Sequence, residues 1–313
     1  MSRQRESRVL GRGGPGAALL AVLVLTCGLT GCDAAADNRP LVVVSTNILG
    51  DVVEEVVGEQ AQVLTLMRPN ADPHSFEISA QEAARMRAAD LLVLNGLGLE
   101  EGLQQHLDAA EDEGVPGFVA GEQIEVLDYS KGDAAGTPDP HFWTDPARMA
   151  QVVEGLADAL VEVDGIAADT IRAQAKAYLS EVRAIDQEMT AAFEAIPTDN
   201  RALVTNHHVF GYLAQRYDFH IVGAVIPGGT TLAAPSASDL ADLVTAVEKT
   251  GVRTIFAESS SPDRLVRALA QEAGVDVEVV SLYTESLTEP GGGADTYSTM
   301  MRVNAERIAD GLR

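Results

Sequence analysis

Six histidines are spread over the 313 residues, and two of them share one local context: Asp72-Pro73-His74 returns as Asp139-Pro140-His141. Proline fixes φ, lacks an N–H and steers the residue before it away from helix. A histidine directly after Asp-Pro therefore sits in a defined loop that can aim its imidazole. Neutral imidazole binds zinc and other transition metals, and metal sites collect ligands from segments far apart in sequence. One Asp-Pro pair only starts a turn; its recurrence around two histidines points to metal binding. The adjacent pair His207-His208 offers a third ligand, one or the other, because consecutive side chains diverge. His106 falls in a charged helical stretch and His220 at a strand start, positions that suit exposed or structural histidines.

Three imidazoles leave a fourth position, filled by a carboxylate in a closed site or by water in a catalytic one. Glu285, in Leu282-Tyr283-Thr284-Glu285-Ser286, follows a strand and is placed to close the site. Glu77, three residues after His74, is placed to steady the first loop. The hydrolase signatures His-Glu-x-x-His and Gly-x-Ser-x-Gly do not occur. Gly291-Gly292-Gly293 lacks the Lys-Ser/Thr of a phosphate loop and reads as a turn before a helix.

Charge narrows the partners. The chain carries a net −25, and without residues 1–31, whose four arginines face one glutamate, it retains 18 basic and 46 acidic side chains, a net −28. A nucleic-acid partner is excluded on that balance, because phosphate binding needs concentrated positive charge. The leader pairs a basic start with the apolar run Ala17 to Leu25 and ends in Leu29-Thr30-Gly31-Cys32. That run is too short for a membrane span and reads as an export signal. Its ending resembles a bacterial lipobox, which implies cleavage before Cys32 and lipidation of its sulfur. Cys27 then leaves with the leader, and a metal must be held by nitrogen and oxygen.

The elements that must position these residues alternate strand and helix. Strands are expected over Leu41–Val44, 62–67, Leu91–Leu94, Ala202–Thr205, 220–226, 254–257 and 277–281, with helices between them and a last helix from about Asp295. Ser79 and Glu82 form a capping-box signal, and Asp145-Pro146 starts a helix with proline in its first turn. A further helix is expected from Pro262. Continuous β-branched runs suit strands buried on both faces, and the βαβα order predicts mostly parallel sheets flanked by helices. Ile171, Tyr178, Val182, Ile185, Met189, Phe193 and Ile196 recur at helical spacing and predict one helix of about 45 Å from Ile166 to Ile196 at ~1.5 Å per residue. Short of five heptads and without regular charge pairs, it reads as a rigid spine between two lobes rather than a coiled coil. The fold class is thus α/β: two lobes of mostly parallel sheet joined by one long helix, with the ligand between them.

Taken together, Asp72-Pro73-His74-Ser75-Phe76-Glu77, Asp139-Pro140-His141-Phe142-Trp143, the run His207 to Leu213, and Ala294-Asp295-Thr296-Tyr297 with Met300-Met301 resemble the metal-binding lipoproteins of bacterial zinc and manganese uptake ABC transporters. The resemblance runs from about Leu41 to the C-terminus. It implies His74 and His141 from the first lobe, and His207 with a carboxylate from the second. His207 is chosen over His208 because the family's ligand precedes by three the aromatic matched here by Phe210. Glu285 falls where many members have aspartate, a departure, and 121–138 lacks the histidine-rich loop of some zinc-binding members.

The implied organisation is a signal peptide over 1–31, a lipid-anchored tether over 32–40, an N-terminal lobe over 41–162, a linking helix over 163–197 and a C-terminal lobe over 198–313. The implied function is a monomeric extracytoplasmic protein, anchored to the cell membrane through Cys32, that captures Zn2+ and hands it to an ABC permease without making or breaking a covalent bond. Mn2+ is the alternative cargo. Three imidazoles and one carboxylate favour zinc, and more oxygen favours manganese. The competing classes are a zinc hydrolase with Glu285 or Glu77 as base, and an adhesin or structural lipoprotein whose metal only stabilises the fold.

Overall fold

Two four-stranded parallel sheets share one strand order. In the first, β1 (Leu41–Val44), β2 (Gln62–Thr65), β3 (Leu91–Leu94) and β4 (Gly117–Val119) lie as β2-β1-β3-β4; in the second, β5 (Ala202–Thr205), β6 (His220–Ala224), β7 (Thr254–Glu258) and β8 (Glu278–Leu282) lie as β6-β5-β7-β8. The computed structural model describes residues 38–130, 134–226, 228–232, 235–260, 266–268, 271 and 277–313. The export leader and Cys32 lie outside the described residues, as does the start of the helix expected from Pro262.

Val42, Val43 and Val44 are buried on both faces of the first sheet, which is what an unbroken β-branched run requires of a central parallel strand. The helices follow their sequence signals. Thr46 caps α1 (Asn47–Val57), Ser79 and Glu82 close a reciprocal capping box on α2 (Ala80–Arg87), and Asp145 caps α4 (Pro146–Val161) by accepting from the N–H of Ala147. Ser236 with Asp239 repeats the box on α7 (Ala237–Thr250). Between β3 and β4 a 3-10 turn, Glu101–Leu103, leads into α3 (Gln104–Asp112). Strand β4 was not expected: it has three residues, and its first, Gly117, has no side chain to carry a hydrophobic pattern.

The long helix, α5, is Ala168–Glu194. Its 27 residues span about 40 Å at ~1.5 Å each. Ile171, Ala175, Tyr178, Val182, Ile185, Met189 and Phe193 are buried along one face. They join a single apolar cluster that also contains Val52 and Met149 of the first half and Tyr217, Phe256 and Ile308 of the second. The stripe is therefore consumed within the chain, which removes the reason for a coiled-coil partner. Phe193 sits edge-on to Tyr217 and Phe219, each 5.0 Å between ring centroids. The remaining helices are α6 (Gly211–Tyr217) and a C-terminal helix, Tyr297–Leu312, and residues 39–313 form one unit. Among the described residues no helix is long and apolar enough to cross a membrane.

Candidate metal centre

In open parallel sheets the ligand crevice lies beyond the carboxyl ends of the strands, where the strand order reverses. The segments after β2, β4, β5 and β8 carry His74, His141, His207 and Glu285, and all four converge there. One ligand atom from each lies within 4.8 Å of the others, and all four side chains are buried. The Nε2 atoms of His74, His141 and His207 stand 3.4, 3.3 and 3.2 Å from the Glu285 carboxylate. Those of His74 and His141 are 3.4 Å apart. The three imidazoles thus turn one nitrogen each toward a shared centre.

Each Asp-Pro-His loop is built by its own aspartate. Asp72 Oδ1 accepts the backbone N–H of His74 at 2.9 Å, and Asp139 Oδ1 accepts that of His141 at 3.0 Å. The motif repeats because both loops use one side-chain-to-backbone turn, with proline stiffening its middle. Asp139 Oδ1 is also 2.7 Å from His141 Nδ1. A proton held on Nδ1 by that carboxylate leaves the Nε2 lone pair facing the centre. Glu258, at the end of β7, stands 3.4 Å from His207 Nδ1 and is steadied by Asn206 Nδ2 and Ser260. Glu77 does not share in this: it is exposed, and Asp72 fixes the first loop.

The carboxylates that orient the histidines, Asp139 and Glu258, were missed from sequence. Their available signals were the aspartate preceding each Pro-His and an acidic residue at the carboxyl end of a buried strand. His208 is buried beside the centre, its ring 6.5 Å from that of Tyr129. His106 is half-buried on α3 and His220 is exposed, in line with the roles expected of them.

Electrostatics divide the histidines. Burial, reinforced by the charges of His141 and His207, pulls His74 far below the ordinary imidazole range. Burial also disfavours charge on His207, but Glu285 and Glu258 outweigh it and push the group up to about 10. Burial acts to raise Glu258, but its contacts with His207, Ser260 and Asn206 hold it below the usual carboxylate range. Neither oxygen of Glu285 receives a hydrogen bond among the described residues, although the side chain is fully buried. A buried carboxylate so placed is strongly disfavoured unless a cation, a protonated His207 or a metal ion, lies against it. Three neutral nitrogen donors and one carboxylate fit a divalent transition metal.

Tyr129 borders the centre. Its hydroxyl is 3.1 Å from His141 Nδ1 and donates to the carbonyl of Gly229 at 2.9 Å. A Cβ on Gly229 would stand 2.6 Å from the Tyr129 ring, so only glycine permits the approach. On the other side of Tyr129 lies a cleft of about 460 Å³, walled by Asp128, Asp139, His208, Asp218 and His220 among others.

Sequence and fold are both similar to those of known proteins. The chain is 28% identical over 295 residues to the manganese-binding lipoprotein MntA of Halalkalibacterium halodurans, covering 94% of this chain and 96% of that protein. It is 27% identical over 303 residues to the iron-binding protein YfeA of Yersinia pestis, covering 95% and 96%. Its fold superposes on the periplasmic zinc-binding protein TroA of Treponema pallidum with a TM-score of 0.80 at 25% identity, covering 88% of this chain and 99% of that one. The family described as the periplasmic component A of zinc-uptake complexes matches residues 42–311. With that match spanning both sheets and the long helix between them, the chain belongs to this family, as a metal-binding substrate-binding protein of an ABC transporter and not an enzyme.

Proposed function

We propose that this protein captures Zn2+ outside the cytoplasmic membrane through His74, His141, His207 and Glu285 and delivers it to its ABC permease. The observation that carries the reading is the fully buried Glu285 carboxylate facing three imidazole nitrogens at 3.2–3.4 Å. A donor set of three nitrogens and one carboxylate is softer than the oxygen-rich sets that favour manganese. The metal is cargo: Nδ1 contacts with Asp139 and Glu258 orient the ligands, and release to the permease reverses the same coordination. Residues 1–31 serve as the signal peptide, Cys32 carries the lipid, and 32–40 tether the monomer. Residues 41–162 and 198–313 act as the two lobes and 163–197 as their spine.

Manganese is the second reading, favoured by the names of relatives such as MntA and the manganese transporter lipoprotein PsaA of Streptococcus pneumoniae. The deciding experiment is metal content and competitive Zn2+ and Mn2+ affinity on the soluble form lacking residues 1–32. His74→Ala, His141→Ala, His207→Ala and Glu285→Ala are measured beside it. One tightly held zinc, lost from folded histidine variants, is expected. Preference for Mn2+ over Zn2+ in competition transfers the reading to manganese, and no stoichiometric divalent metal refutes it.

A further inference from the structure

Glu285 itself poses a question of mechanics: among the described residues its carboxylate meets imidazole nitrogens at 3.2–3.4 Å without a well-formed hydrogen bond, so its own side chain does not fix its place. Its place is set by its neighbours, and those are pinned from the other half of the chain. On one side, Trp143 Nε1 donates to the carbonyl of Thr284 at 2.8 Å. On the other, the buried side chain of Asn47, first residue of α1, holds both following residues. Asn47 Nδ2 donates to Ser286 Oγ at 2.8 Å, and Asn47 Oδ1 accepts the N–H of Leu287 at 3.0 Å. The same Nδ2 donates to the carbonyl of Arg68 at 3.2 Å, at the start of the His74 loop, and Asn70 N donates back to the carbonyl of Leu287 at 2.9 Å.

The amide orientation is determined by these partners. A flipped side chain would set its oxygen against the Arg68 carbonyl and its NH2 against the Leu287 N–H. Aspartate fits no better, since it would face the Arg68 carbonyl with a second acceptor.

We propose that Asn47 is the positioning residue for Glu285: it fastens the Ser286-Leu287 backbone to the His74 loop, so that His74, His141 and Glu285 form one preset half of the metal site. The proposal rests on the four-ligand reading above. Asn47 does not touch the metal, and its effect on metal passes through Glu285.

Zn2+ competition and the visible spectrum of Co2+ bound to the soluble form lacking residues 1–32 test this. Asn47→Ala is expected to weaken Zn2+ binding by about 10–100-fold, the range for residues that orient metal ligands, and to move the Co2+ spectrum toward that of Glu285→Ala. Combined with Glu285→Ala it should add less than about threefold, whereas combined with His207→Ala the losses should multiply. Ser286→Ala cuts the same link from its other end and should weaken binding in the same direction, which keeps the test open if Asn47→Ala fails to fold. Wild-type affinity and spectrum in Asn47→Ala and Ser286→Ala overturn the proposal while leaving the site reading intact, as do losses that multiply fully with Glu285→Ala. A wild-type protein that binds neither Zn2+ nor Co2+ overturns the site reading and the proposal with it.

Discussion

Asp51 tests how the two halves are joined, independently of metal. It lies on α1, and its Oδ2 accepts the backbone N–H of Tyr297, at the start of the C-terminal helix, at 2.8 Å. Burial raises its carboxyl from 3.8 to about 7 despite that hydrogen bond, and the charges of Glu55, Glu54 and Glu181 add to the rise. A carboxyl raised on folding contributes most at low pH, and its contribution is lost as pH climbs from the unfolded value through the folded one. A shift of that size corresponds to at most ~4 kcal/mol at pH 8. The group is half-buried, and solvent screening reduces this to about 2 kcal/mol.

Asp51→Asn keeps an acceptor for Tyr297 and removes the charge. The metal-free variant should therefore be more stable than wild type by about 2 kcal/mol at pH 8, which raises the midpoint of thermal unfolding by roughly 4–8 °C. At pH 4.5 the gain should shrink to about a quarter of that. Urea unfolding at the two pH values measures both numbers. A variant less stable than wild type at pH 8 would show that the charge of Asp51 holds the halves together rather than straining them, and a gain equal at the two values would show that the charge is not its source.

Three further outcomes follow from the same contacts. Because His207 is pushed up to about 10, it carries a proton at pH 7–8 that an arriving metal must displace, so affinity should fall with decreasing pH from well above 6. Calorimetry in two buffers of different ionisation enthalpy should find close to one proton released per metal at pH 8, and none released would contradict the Glu285–His207 coupling. Glu258→Gln, which removes the charge behind His207 Nδ1, should weaken Zn2+ binding by about 10-fold or more; competition titration would expose an unchanged affinity. Phe193→Ala, which empties the contact with Tyr217 and Phe219, should cost about 3–5 kcal/mol in chemical denaturation, and a loss below about 1.5 kcal/mol would mean that the spine is not packed as described.

Sequence by itself determined the elements whose signals are local. Leu41–Val44, Leu91–Leu94 and Ala202–Thr205 are strands with the bounds their β-branched or apolar runs suggested, and the Ser79/Glu82 box and Asp145-Pro146 start helices where expected. The repeated Asp-Pro-His stood out because each copy builds its turn from its own aspartate, a contact spanning two residues. The spacing of the α5 stripe was legible for the same reason, and its ends were not, because fraying and capping are settled by neighbours.

Tertiary structure decided what depends on distant chain meeting. Nothing in sequence spacing buries Glu285 completely among three imidazoles, aligns Glu258 behind His207, or threads Asn47 between the Arg68 carbonyl and Ser286. These contacts join residues 21 to 239 positions apart. They exist only because two sheets of the same order turn their carboxyl edges toward each other, and burial there converts ordinary carboxylates and imidazoles into a charge arrangement that a divalent cation completes.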